Sequence, residues 1–418
     1  MPATLAKLIE SRYGHAGVPV EVVLPDGGRV RLAESTDVEI VARTLRGLVA
    51  LAKPALGRLA RAYVRNDLDF SGSAMRMINV AERMVGEVSH GSATLTARMR
   101  LWRNQHRPNR ANIAHHYDVS NDFYRLWLDE RMVYSCAYFR RDDDTLDAAQ
   151  AQKLDHICRK LRLAPGQSLL DVGCGWGALI LWAAEHYGVE ATGITLSRRQ
   201  FEHVEGEIAR RGLQGRVGVE LRDYQDLPSA ARYDRIASVG MFEHVGVDRL
   251  VPYFRTLAGA LKPGGFVMNH GITHNGLHGT GLGSGIGEFV DRYVFPGGEL
   301  THVAHVVEAM AQAGLELIDA EALREHYAKT LWYWTGRLEA NAQAARAEVG
   351  EERFRVWRIY LAGSAFAFER GWLSLWQLLA GRPHADGRLP HPLTREDFYR
   401  TGDAGDRAPL TPRPPPPL

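Results

Sequence analysis

The stretch Ser168-Leu-Leu-Asp-Val-Gly-Cys-Gly-Trp-Gly177 limits the possible folds of this chain more than any other. A short apolar run ends in glycines at 173, 175 and 177, and an apolar helical pattern starts at once. A backbone that leaves a buried strand, turns sharply and enters a helix needs residues tolerant of left-handed φ at the turn. The same alternation continues downstream. Its pattern predicts strands over 168–173, 190–195, 217–221, 233–239 and 266–272. Helices are expected over 147–161, 177–187, 197–211 and 248–261. Strands alternating with helices of this length imply an α/β fold with a parallel, doubly wound sheet. Ligands of such sheets bind beyond the carboxyl ends of the strands, where strand order reverses.

The chemistry of the turn narrows the ligand. Its glycines are spaced GxGxG rather than the GxGxxG of dinucleotide folds, and Asp171 stands two residues before the first of them. That carboxylate would repel a pyrophosphate but suits the cationic sulfonium and amino group of S-adenosylmethionine. The next strand ends in Ile194-Thr195-Leu196-Ser197, without the acid that holds a ribose in many nucleotide folds. Ser197-Arg-Arg-Gln200 reads as a capping box, with Ser197 capping a helix and Gln200 reaching back. Thr195 and Gln200 then face the ligand edge. The third strand runs into Arg222-Asp223-Tyr224, an acid–aromatic pair suited to holding adenine.

Composition sets the outer bounds. Cys136, Cys158 and Cys174 are too few for a disulfide framework and include no CxxC pair, which fits a reducing cytoplasm. Lys7, Glu10 and Arg12 interrupt the first apolar residues, so no signal peptide is expected. No run approaches the roughly 18 apolar residues of a spanning helix. Residues 1–110 carry 17 Lys and Arg against 10 Asp and Glu, with Arg98, Arg100, Arg103, Arg107 and Arg110 clustered at the end. Such a basic domain suits an anionic surface, either membrane headgroups or nucleic acid. It reads as a hairpin turned at Asp26-Gly27-Gly28, then helical stretches over 38–64 and 73–88, then a linker at 103–110. The proline-rich segment after Gly402 reads as a disordered tail.

Several stretches together carry a family resemblance. HHYDVSNDFYRLWLDERMVYSCAYF (115–139), LDVGCGWG (170–177), RDYQDL (222–227), SVGMFEHVG (238–246), FVDRYVFPGGEL (289–300) and GWLSLWQLL (371–379) stand in order. Over about residues 55–380 the chain resembles the cyclopropane-fatty-acyl-phospholipid synthases, relatives of the mycolic acid cyclopropane synthases. ALGRLARAYVRNDLDFSGS (55–73) resembles the N-terminal domain of the longer bacterial members.

The resemblance implies a class I S-adenosylmethionine-dependent methyltransferase fold, with a smaller N-terminal lipid-binding domain (1–110), a catalytic domain with a helical acyl-chain cap (111–390), and a largely disordered tail (391–418). It implies that Tyr134, Ser135, Asp171, Gly173, Gly175, Gly177, Thr195, Leu196, Gln200, Asp223 and Tyr224 contact the cofactor. It also implies a bound bicarbonate, caged by Cys136, Glu243, His270, Ile272 and Tyr327, with Cys136 and Ile272 serving through backbone groups. The expected partner is a phospholipid bilayer surface, met peripherally from the cytoplasm by a homodimer, with no nucleic acid.

An isolated alkene is a weak nucleophile, so its methyl donor must be as strong as a sulfonium. Attack leaves a carbocation, and the new methyl must lose a proton before a ring closes. Glu243, Tyr327 and a protonated or donating His270 would hold the base. Aromatic faces at Tyr134, Tyr138, Phe139 and Trp176 are candidates to stabilise the cation, or simply core. Phe354, Trp357, Leu361, Ser364 and Phe368 form one helical stripe, read as cap packing or as an acyl tunnel. His270, His274 and His278 mimic metal spacing, but the glycines from 271 to 283 oppose a helix there and no acid completes a set. Glycine-rich 276–287 reads as a mobile lid. The alternatives are a methyl- or methylene-branching enzyme, a small-molecule N-methyltransferase of the same fold, and a nucleic-acid binder using the arginine cluster.

Overall fold

A computed structural model describes residues 2–13, 18–36, 38–86, 120–277, 286–294 and 299–399. The arginine cluster from 98 to 110 and most of the glycine-rich stretch 276–287 lie outside these residues.

The first unit begins with helix α1 (Pro2–Tyr13) and the expected hairpin, β1 (Val20–Val23) against β2 (Arg29–Arg31). Gly27 takes a φ of +85° at the turn, and the Asp26 carboxylate accepts the Gly28 N–H at 3.0 Å. Residues 38–42 correct the expected helix. They form β3 (Val38–Ala42), parallel to β1, with alternate residues buried. Val38, Ile40 and Ala42 have the period of two that buries one face of a strand. Helices α2 (Leu45–Ala52) and α3 (Leu56–Val64), strand β4 (Leu68–Phe70) and helix α4 (Ala74–Val85) follow. Thr44 and Ser73 cap α2 and α4 through their hydroxyls.

The second unit opens with α5 (Asn121–Arg125) and α6 (Leu146–Lys160). Strands β5 (Ser168–Val172), β6 (Glu190–Thr195), β7 (Val217–Leu221), β8 (Tyr233–Val239) and β9 (Leu261–His274) alternate with α7 (Ala178–Tyr187), α8 (Arg198–Arg210) and α9 (Leu250–Ala260). After α10 (Ile286–Tyr293) and α11 (Val303–Gln312) come β10 (Glu316–Ala322), the long helices α12 (Arg324–Ala340) and α13 (Ala342–Glu369), and β11 (Leu373–Gly381). The sheet order is β10-β11-β9-β8-β5-β6-β7. The pairs from β9 through β7 are parallel, and β11 inserts antiparallel between β9 and β10. Order reverses between β5 and β8, as the βα alternation predicts for a doubly wound sheet. Helices cover both faces, so β5 is buried along nearly its whole length.

The two units meet along α13. The Arg355 guanidinium, buried, donates to Tyr63 O (3.1 Å) and Leu68 O (3.3 Å) and pairs with Asp69 (3.0 Å). Arg358 lies over the Phe70 ring at 4.4 Å and donates to Tyr63 Oη at 3.1 Å. Phe354, Trp357, Leu361 and Phe368 of the predicted stripe enter the core beneath α12 and α13, among Tyr124, Trp127 and Trp176, while Ser364 is half-buried. Order continues past the expected domain end at 390. A last helix, α14 (Glu396–Tyr399), buries Phe398, and Asp397 pairs with Arg162 at 2.7 Å. Among the described residues no helix is long and apolar enough to cross a membrane.

Candidate active site

The carboxyl ends of β5, β6 and β8 open on a cavity of about 350 Å³ at the reversal point. Tyr134, Ser135, Asp171, Gly173, Gly175, Thr195, Leu196, Gln200, Asp223 and Tyr224 all line it. Gly177, expected there too, does not. It enters α7 at a φ of +83°, and a Cβ on it would lie 2.9 Å from Val204. Its work is close packing of α7 on α8. Gly173 turns at a φ of +80° under the Met241 side chain, which also lines the cavity.

The edge at β6 departs from the capping box. Ser197 caps α8, accepting the Gln200 N–H at 3.4 Å. The Gln200 side chain does not reach back; its Oε1 accepts from the Thr195 hydroxyl at 2.8 Å. That turns both groups toward the cavity. At the end of β7, Asp223 caps a short 3-10 turn by accepting the Gln225 N–H, and Tyr224 packs edge-on against Tyr253 with ring centres 4.9 Å apart.

Asp171 is buried, and its Oδ1 has no hydrogen-bond partner among the described residues. Burial pushes its carboxyl up to about 7, against the pull of Lys153. Lys153 was not among the sequence candidates, yet it lines the same cavity and is 2% exposed. Its Nζ donates to Ser135 Oγ at 2.9 Å, and Gln150, one helical turn earlier on α6, donates to Ser135 O at 2.9 Å. A lysine and a glutamine on the inward face of α6 were the only signal. Burial lowers the Lys153 ammonium to about 8. His244 also lines the cavity, and burial lowers it to about 4, so it is neutral there at pH 7.

Three of the expected cage residues, Glu243, His270 and Ile272, stand together at the end of β9. β9 runs past the last β8 residue, whose final pair is Val239 with His270. The Ile272 N–H beyond that point has lost its strand partner and donates to Glu243 Oε1 at 2.7 Å. Close approach requires Gly271, where a Cβ would stand 2.0 Å from the Phe242 ring and 3.0 Å from Glu243 Oε1. Glu243 Oε2 is buried with no partner among the described residues, and burial raises the carboxyl to about 7. Across the sheet, the Gln377 amide nitrogen faces His270 Nδ1 at 3.2 Å. An amide nitrogen only donates, so Nδ1 accepts and the ring proton sits on Nε2. That Nε2 is likewise buried without a partner among the described residues.

Of the two forms expected for His270, protonated or donating, the second fits: burial, with Lys153 and Lys160 adding to it, holds His270 well below the ordinary histidine range, so it is neutral with a donor on Nε2. The Ile272 N–H is occupied by Glu243, so its backbone contribution is to orient that carboxylate. Cys136 and Tyr327 lie in one core cluster, with Ile272 packed against it. The Cys136 thiol donates to Ala137 O at 3.2 Å, and burial raises its pKa, so the thiol is inert. Tyr134 and Trp176 face the cavity, but Tyr138 and Phe139 do not line it. Tyr138 stacks on His156 and His326, and Phe139 on Tyr333.

Residues 104–378 match the family model described as mycolic acid cyclopropane synthetase. The chain belongs to that family. A probable fatty acid methyltransferase of Pseudomonas putida is 46% identical, over 92% of this chain and 97% of the relative. Cyclopropane mycolic acid synthase 1 of Mycobacterium tuberculosis is 38% identical, over 64% of this chain and 96% of its own length. The solved structure of the cyclopropane synthase MmaA2 from M. tuberculosis superposes with a TM-score of 0.63 at 35% identity, covering 66% of this chain and 98% of that one. Mycolic acid cyclopropane synthase CmaA1, solved in complex with SAH and CTAB, gives a TM-score of 0.62 at 38% identity, covering 66% and 99%. Like the family, this chain is an S-adenosylmethionine-dependent methyltransferase of the class I Rossmann-like fold.

Proposed function

We propose that the chain transfers a methylene unit from S-adenosylmethionine to the cis double bond of unsaturated phospholipid acyl chains, forming cyclopropane fatty acids, with bicarbonate as base. One observation carries this reading: Glu243 Oε2 and His270 Nε2 are buried polar atoms without described partners, beside a methyltransferase cofactor cavity. Met241 and His244, which flank Phe242-Glu243 in the chain, both line that cavity.

The donor set fits a small anion. Buried polar atoms are costly unless something hydrogen-bonds them. Glu243 in its protonated form, populated because burial raises its pKa to about 7, and a neutral His270 with its proton on Nε2 both present donors to an anion. The Tyr327 side chain belongs to the core region against which Ile272 packs, and would supply a further hydroxyl to the anion. Bicarbonate bound there would supply the base for the proton that the new methyl must lose. S-adenosylmethionine supplies the methyl electrophile that an isolated alkene requires. Tyr134 and Trp176, whose rings line the cavity, offer π faces to developing positive charge. The aromatic core under α12 and α13 excludes water, which would otherwise trap a cation as an alcohol.

The basic first 110 residues favour an anionic headgroup surface, at about 1 kcal/mol per basic residue near the membrane. Binding to vesicles of anionic phospholipid should therefore weaken as salt rises. The deciding experiment incubates the purified protein with S-adenosylmethionine and vesicles of cis-unsaturated phospholipid. Acyl chains heavier by one methylene unit that resist hydrogenation support the reading. A product that hydrogenates as an alkene, a saturated methyl branch, or methylation of soluble amines only would overturn it.

A further inference from the structure

The cofactor cavity carries one buried cation that the mechanism above does not use. Lys153 projects from α6 into the wall that holds Ser135 and Asp171. Its described hydrogen-bond partner is a hydroxyl, at 2.9 Å, so an ammonium with three donors has capacity left for a ligand. Asp171, in the same wall, has an oxygen with no described partner. A buried ammonium and a buried carboxylate that do not pair with each other form a dipolar receptor. The amino-acid end of S-adenosylmethionine is a zwitterion, with a carboxylate and an ammonium on one carbon.

We propose that Lys153 binds the carboxylate of the cofactor's amino-acid end, beside the Asp171 already expected to face its amino group, so that the lysine completes the anchor at the end of the cofactor remote from adenine. Through Ser135 the same lysine ties cofactor occupancy to the 133–136 segment, which leads directly to Cys136. The groups facing the lysine leave room for a ligand anion: Asp129 and Asp171 are the nearby acids, Cys136 is a thiol raised by burial, Cys158 is a further thiol, and burial keeps His270 neutral. Asp129 is engaged by the Val133 and Arg131 N–H groups. The inference rests on S-adenosylmethionine being the methyl donor, which a ligand lacking the amino-acid end tests separately.

The test is a titration-calorimetry series on the full chain with S-adenosylhomocysteine, its decarboxylated analogue and methylthioadenosine. The wild type should bind S-adenosylhomocysteine about tenfold to a hundredfold more tightly than the decarboxylated analogue, as a charge-assisted hydrogen bond implies. Lys153→Met should erase that difference and leave methylthioadenosine binding unchanged, and Lys153→Arg should restore part of it. Asp171→Asn should weaken both amine-bearing ligands alike. If Lys153→Met does not fold, pH decides in the wild type. The preference for the carboxylate should shrink as pH rises through about 8, where free Lys153 loses its proton. Equal losses for all three ligands, or a wild type blind to the carboxylate, would overturn the assignment. Failure of methylthioadenosine to bind at all would instead count against the cofactor itself.

Discussion

Glu243 Oε1 accepts the Ile272 N–H at 2.7 Å, while Oε2 of the same carboxyl group is buried with no described partner. One oxygen is spent on fixing orientation and the other is left for a ligand. Glu243→Ala should lower kcat by at least about a hundredfold, in the range for losing a group that works on a proton or holds the base. Cofactor affinity measured by calorimetry should stay unchanged. A parallel loss of cofactor binding would contradict the separation of the two sites.

The same group sets a pH dependence of stability. Its folded pKa is raised from 4.5 to about 7 by burial. Between those values the folded state keeps a proton that the unfolded state has released. Stability should therefore fall as pH rises through this window and level off above about 7. Glu243→Gln, which cannot ionise, should flatten the fall when denaturant midpoints are compared at pH 5 and pH 8. An unchanged slope would show that the carboxyl ionises freely in the folded protein.

Gly271 is where β9 touches the turn that carries Glu243. A methyl group there would overlap the Phe242 ring at 2.0 Å. Gly271→Ala should lower stability by about 1–3 kcal/mol as overpacking forces the turn away. Activity should drop further than stability, because Glu243 moves with Phe242. Thermal melting and turnover at a temperature where the variant is folded would separate the two effects.

Arg355 joins the two units from within the core, reaching Tyr63 O, Leu68 O and Asp69 at 3.0–3.3 Å. Arg355→Met removes a donor from Tyr63 O and Leu68 O and one of the two arginines on Asp69, which Arg43 still holds at 2.8 Å, so stability should fall by about 1–3 kcal/mol. Hydrogen exchange should speed up across 62–70 and along α13 while β5 and β6 stay protected. Uniform protection in the variant would place the coupling elsewhere.

Local pattern in the sequence was enough for much of this molecule. Spacing of apolar residues and glycines specified the strands β5 to β8, the helices between them and the hairpin at Gly27, because each depends on neighbours close in the chain. The run from Gly371 to Leu379 has no element assigned from its pattern, and from Leu373 on it belongs to the antiparallel strand β11. A short continuous apolar run has no periodicity to tell a buried strand from a helix. The stretch 38–42 was misassigned because five alternating residues sit directly before two real helices.

The glycine turn and Asp171 identified a cationic cofactor from residue chemistry alone, since strand, turn and acid lie within ten residues. Tertiary structure decided what could not be read along the chain. It paired Lys153 with Ser135, set Gln377 against His270 and seated Glu243 on the free edge of β9. It also made His270 neutral and moved Gly177, Tyr138 and Phe139 off the cavity wall. Protonation and facing depend on burial and on partners up to about a hundred residues away, and burial exists only once the sheet has closed.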